Sequence, residues 1–226
     1  MSFWIKICAN TSLEDAQLAA DAGADAVGFV FALSPRRITP AQVSAIVPQL
    51  PASLEKIGIF VDASFDEMVS TVETTGLTGV QLHFNAAPSL PAQLRTRFGP
   101  KLRILRVVHF VPGATLADPL DSDPNVDAIL VDSRTAAAVG GTGRTFDWSA
   151  ARNTLFQSAK TRTRLIAAGG LTPDNVAEAI AILEPWGVDV VSGVETAPGH
   201  KDPAKVRAFI ANARALAAQP TASSRP

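Results

Sequence analysis

Residues Arg164-Leu165-Ile166-Ala167-Ala168-Gly169-Gly170-Leu171-Thr172-Pro173 hold one full change of structure: a short apolar run, two glycines, then threonine and proline. The apolar run has no polar alternation, as expected of a strand buried on both faces in a parallel sheet. Thr172-Pro173 offers a helix cap followed by the residue best suited to the first helical position. Between them, two residues without Cβ allow a tight turn and a close backbone approach, with free N–H groups facing outward.

The same unit recurs on both sides of this stretch. Apolar runs fall at Ile5–Ala9, Ala26–Phe31, Lys56–Val61, Gly79–Phe84, Leu102–Phe110, Ala128–Asp132 and Asp189–Val194, in addition to Arg164–Ala168. The segments between them carry helix starts. Thr11-Ser12-Leu13-Glu14, Thr39-Pro40-Ala41-Gln42 and Ser64-Phe65-Asp66-Glu67 each fit a capping box, and Asp202-Pro203 supplies a cap and a proline. Val206, Phe209, Ile210, Ala213 and Leu216 fall on one face of the last helix. Eight strand-helix units predict a single-domain (β/α)8 barrel of the α/β class, with an open doubly wound sheet as the alternative. The fifth helix should be short or irregular, because Val111–Asp127 contains Pro112, Pro119 and Pro124. No linker divides the chain, so residues 1–219 are expected to form the barrel and residues 220–226 a frayed tail.

The composition narrows the function. The 226 residues are 47% hydrophobic, with 20 Lys and Arg against 21 Asp and Glu, which excludes a strong global field toward nucleic acid or an anionic membrane. One cysteine excludes an intramolecular disulfide and a cysteine-rich zinc site, and three histidines make a His-rich metal site improbable. There is no signal-peptide pattern and no uninterrupted apolar run of about 18 residues, so a cytoplasmic protein without membrane or nucleic-acid partners is expected.

In either architecture the chemistry belongs at the carboxyl ends of the strands. Gly169-Gly170 after the seventh strand and Ser192-Gly193 after the eighth lie where barrels commonly hold phosphate. The run Gly140-Gly141-Thr142-Gly143-Arg144-Thr145 is not a P-loop, because Ala138 stands where the first glycine is needed and Arg144 replaces the lysine. It reads equally as a flap over the site or as a plain surface loop.

Read together, Lys6-Ile7-Cys8, Ser34-Pro35-Arg36, Gln81-Leu82-His83, Val131-Asp132-Ser133, Gly140–Gly143 with Thr145–Trp148, Ala168–Pro173 and Ser192–Glu195 with Lys201-Asp202 resemble the phosphoribosylanthranilate isomerases of tryptophan biosynthesis. The resemblance implies a (β/α)8 barrel. It also implies isomerisation of N-(5'-phosphoribosyl)anthranilate without cofactor, metal or obligatory protein partner. It assigns Cys8 as general base, Asp132 as general acid, Arg36 to the anthranilate carboxylate, and Gly169, Gly170, Ser192 and Gly193 to phosphate. His83 either orients the anthranilate end or satisfies loop hydrogen bonds. Asp189 is either a substrate ligand or a buried partner for Lys6. Three places depart from the family pattern: Ala9-Asn10 after the cysteine, Phe84-Asn85 after the histidine, and Val191 before Ser192.

An Amadori rearrangement needs an acid that protonates the ring oxygen and a base that takes the C2' proton. Cys8 must be a thiolate to act, and Lys6, roughly 7 Å back along the strand, could favour that form. An aminoimidazole-type isomerase on the same fold would be expected to carry paired aspartates after strands one and five, where this chain has Cys8 and His109-Phe110. A phosphosugar-binding barrel without catalysis would keep the glycine loops but would not need Cys8 and Asp132.

Overall fold

The computed structural model describes residues 3–83, 86–110, 123–132, 148–156 and 163–217. Eight strands, β1 (Trp4–Ile7), β2 (Ala26–Val30), β3 (Glu55–Phe60), β4 (Gly79–Leu82), β5 (Arg103–His109), β6 (Ala128–Asp132), β7 (Leu165–Ala168) and β8 (Gly187–Val190), pair in parallel and in sequence order. β1 pairs with both β2 and β8, with Lys6 beside Asp189, so the sheet closes into a barrel and the open-sheet alternative falls. Seven α-helices are present among the described residues: α1 (Leu13–Asp21), α2 (Pro40–Ile46), α3 (Phe65–Thr75), α4 (Leu90–Phe98), α5 (Trp148–Ala151), α6 (Val176–Leu183) and α7 (Pro203–Ala217).

The strands read as continuously apolar because both faces are buried. On β1, Ile5 and Ile7 pack in the layer beneath the helices, whereas Trp4 joins Ala26, Ile57, Leu105, Leu130 and Ile166 in a separate cluster. The alternation of a strand then carries Lys6 to the same side as Trp4, and Cys8 after it. Trp4 stacks on Trp186 at 5.4 Å between ring centroids, with the Arg164 guanidinium 4.9 Å from the Trp186 ring, at the amino-terminal end of the strands. The candidate site residues lie at the opposite end.

Helix starts follow the local code with two corrections. Thr39 with Gln42 and Ser64 with Glu67 form the expected capping boxes, and Asp202 accepts from the Ala204 and Lys205 N–H groups. In α1 the cap is Ser12, whose hydroxyl accepts from the Asp15 N–H; Thr11 instead donates to the Gly199 carbonyl at 2.6 Å. α6 begins at Val176 rather than at Thr172-Pro173, because the Asn175 side chain ties up the intervening turn, accepting from Thr172 N–H and donating to Gly170 O. The eighth strand lies earlier than Asp189–Val194. It starts at Gly187, packed against the Trp4 backbone, and Ser192–Val194 is a 3-10 turn. The irregular fifth helix concerns Val111–Asp127, of which residues 111–122 lie outside the described residues, as do the proposed flap at 140–145, Phe84-Asn85 and the tail. Among the described residues no helix is long and apolar enough to cross a membrane.

Candidate active site

Cys8 stands one residue beyond β1, buried, its N–H donating to Val190 O at 2.9 Å. Room for its sulfur is made by the neighbouring strand: a Cβ on Gly28 would lie 2.6 Å from Cys8 Sγ. The loop then turns sharply. Ala9 has φ of +60°, a left-handed conformation that an L residue adopts at a cost of about 1–2 kcal/mol. Asn10 holds the turn in place. Its N–H and Nδ2 both donate to Gly28 O, at 2.8 and 3.2 Å, and Nδ2 also donates to Ile7 O.

Below the thiol, Lys6 Nζ donates to Asp189 Oδ1 at 2.6 Å, with the lysine side chain wholly buried. This structure therefore places Asp189 as the buried partner of Lys6. Burial pushes the Cys8 thiol above its ordinary range; Lys6 and Lys201 pull it back, and Asp189 adds to the upward push. The expectation that Lys6 favours the thiolate holds for the direction of its own effect, and desolvation outweighs it. Burial alone would lower Lys6, but Asp189 and Cys8 together hold it above its usual range.

Asp132 is the last residue of β6, buried, and pairs in register with His109 of β5. His83 follows β4, its ring 6.3 Å from that of His109, so two imidazoles lie on the Asp132 side of the mouth. Gln81, buried two residues before His83, has no partner for its Oε1 among the described residues. Cys8 and Asp132 thus sit at the carboxyl ends of β1 and β6, across the same barrel mouth.

Gly169 and Gly170 have φ of +83° and +67°, so this turn requires glycine at both. Gly193 is glycine for a different reason: a Cβ there would lie 1.9 Å from Leu171 O, because the loops after β7 and β8 touch backbone to backbone. A cavity of about 610 Å³ opens beside this contact, lined by Gly170, Thr172, Ser192, Gly193 and, from the first turn of α7, Lys205. Neither Lys205 nor Asn175 stands out in the sequence. A cation one turn into a helix beside two glycine loops was the available signal for the lysine.

Arg36 leaves the loop after β2 and meets Glu195. Its Nε donates to both carboxylate oxygens at 2.9 and 3.0 Å, and Nη2 donates to Oε2 at 2.6 Å. Lys201 Nζ reaches the same carboxylate at 3.1 Å. Arg37, next to it, is exposed. Burial opposes the charge on Glu195, but Arg36 and Lys201 more than compensate and hold the carboxyl below its usual range. Among the described residues no cluster of three or more His, Cys, Asp or Glu could hold a metal.

A closed (β/α)8 barrel with a buried thiol, a carboxyl and a glycine-lined cavity at the carboxyl ends of its strands defines a small-molecule enzyme scaffold. Comparison with known proteins narrows the class. Residues 5–212 match the family described as N-(5'-phosphoribosyl)anthranilate (PRA) isomerase. A relative of that name from Pelobacter propionicus is 44% identical over 218 residues, 96% of this chain and 98% of its own. The solved phosphoribosyl anthranilate isomerase from Thermotoga maritima superposes with a TM-score of 0.84 at 34% identity, covering 96% of this chain and all of that one. A further isomerase, crystallised with reduced 1-(o-carboxyphenylamino)-1-deoxyribulose 5-phosphate, gives 0.80 at 33% identity, with coverage of 96% and 100%. The chain belongs to the N-(5'-phosphoribosyl)anthranilate isomerase family.

Proposed function

We propose that the chain catalyses the Amadori rearrangement of N-(5'-phosphoribosyl)anthranilate to 1-(2-carboxyphenylamino)-1-deoxyribulose 5-phosphate, a step of tryptophan biosynthesis. Family membership across residues 5–212 carries this reading, and Cys8 and Asp132 at one mouth support it.

Asp132 gives a proton to the furanose oxygen as the C1'–O bond breaks and the anilino nitrogen forms a C=N bond. The Cys8 thiolate takes the proton from C2', leaving an enolamine that ketonises to the product. The change is redox-neutral and needs no external oxidant. The phosphate goes to the cavity between the loops after β7 and β8, where glycine backbone N–H groups and the cationic Lys205 favour an anion. Arg36 takes the anthranilate carboxylate, and His83 lies on the acid's side of the mouth. The cytoplasmic location expected from the sequence belongs to the same proposal.

The substrate is fluorescent and the product is not. Adding purified protein should abolish the anthranilate fluorescence catalytically, and an unchanged signal would refute the assignment.

A further inference from the structure

Resting on the reading that Arg36 binds the anthranilate carboxylate, we infer that Glu195 is the positioning residue that aims this guanidinium, and that Lys201 keeps Glu195 from cancelling its charge.

A guanidinium has five N–H groups in a fixed plane. Glu195 takes the side edge, through Nε and one N–H of Nη2. Both N–H groups of Nη1 and the second of Nη2 have no partner among the described residues, and one of the Nη1 pair together with the second of Nη2 forms the end edge. That edge is itself a fork that fits a second carboxylate through two parallel bonds. Once its side edge is clamped, the guanidinium can no longer swing, so its free edge points one way with little entropy left to lose.

The charge count explains why a second cation is present. A carboxylate bonded to Arg36 alone would make a neutral pair with little attraction for an incoming anion. Lys201 adds a positive charge to the same carboxylate, and its side chain is fully buried. Two cations on one carboxylate leave this triad net positive, with burial pulling Lys201 below its usual range against Glu195, and with Asp15 on the Lys201 backbone N–H adding a negative charge beside it. The arrangement is built by local pairing: Glu195–Ala197 (β9) and His200–Lys201 (β10) form a short antiparallel hairpin in which Lys201 is the register partner of Glu195. Glu195 Oε1 also accepts the Gly199 N–H at 3.2 Å. The hairpin is tied to the loop after Cys8 through Thr11, and to α1 through Asp15, which accepts the Lys201 N–H. The clamp that aims Arg36 is therefore fastened to the elements that carry the base.

The test is a double-mutant cycle in steady-state kinetics with melting curves alongside. Arg36→Met should raise KM about tenfold or more. Glu195→Gln should raise KM by roughly three- to tenfold with kcat within about twofold, and in the Arg36→Met background it should change KM by less than about twofold. A Glu195→Gln effect of equal size in both backgrounds, or one on kcat alone, would mean a structural role and overturn the inference. If Arg36→Met raises KM while Glu195→Gln does not, the inference fails and the Arg36 reading survives; if Arg36→Met is silent, both fail. Should Glu195→Gln not fold, Lys201→Met, which keeps the Arg36 pair but removes its surplus charge, should raise KM several-fold, and an unchanged KM would refute the charge argument.

Discussion

Cys8 works against its own burial. The thiolate is the nucleophilic and basic form, and the pocket favours the thiol. With the thiol raised above its ordinary value, the thiolate fraction of the free enzyme should still be growing above neutral pH. The rate at which an alkylating reagent labels Cys8 should therefore climb from pH 7 through pH 9, and a rate flat across that interval would contradict a thiol held above its ordinary range. Asp189 contributes in two ways that one variant separates. Asp189→Asn removes a negative charge beside the thiol, so the labelling profile should move to lower pH. It also leaves the buried Lys6 ammonium without a carboxylate, an uncompensated charge costing about 3–5 kcal/mol. In a chain of this size that lowers the melting temperature by roughly 6–20 °C. An unchanged melting temperature would instead make Asp189 a substrate ligand only.

At the scale of elements, the loops after β7 and β8, proposed to hold the phosphate, separate folding from binding. Gly193 has no room for a side chain against Leu171 O, so Gly193→Ala should cost about 1–3 kcal/mol and be seen first as a lowered melting temperature. Ser192, next to it, is exposed and lines the cavity. Ser192→Asp should leave the melting temperature nearly unchanged and raise KM by about tenfold or more if like charge then stands beside the proposed phosphate position; an unaffected KM would move the phosphate elsewhere. Helix starts were legible where the cap is local: Thr39, Ser64 and Asp202 cap as their neighbours dictate. They were missed where a distant or irregular partner intervenes. Thr11 gave up the cap because the Gly199 carbonyl, 188 positions away, takes its hydroxyl, and Asn175 delayed α6 by holding the turn after Gly170. The eighth strand was misplaced because its start depends on contact with Trp4 across the barrel seam, which no local pattern records.

For the whole molecule, the order of strand and helix was readable because parallel strands buried on both faces leave continuous apolar runs, and closure followed only from the pairing of β1 with β8. The candidate acid and base were legible through the family resemblance, at the ends of their strands. Their surroundings were not. Lys6 with Asp189 and Arg36 with Glu195 are separated by 183 and 159 positions, and only the closed barrel makes them neighbours. The proposed chemistry is isomerisation of phosphoribosylanthranilate with Cys8 as base and Asp132 as acid. The most direct measurement follows the substrate's fluorescence with the natural protein and with a Cys8→Ser, Asp132→Asn double variant that circular dichroism shows to be folded. Complete catalytic loss of signal is expected with the first and a rate at least about 10²-fold lower with the second, since general acid–base groups contribute on that order. No loss with the natural protein, or equal rates with both, would contradict it.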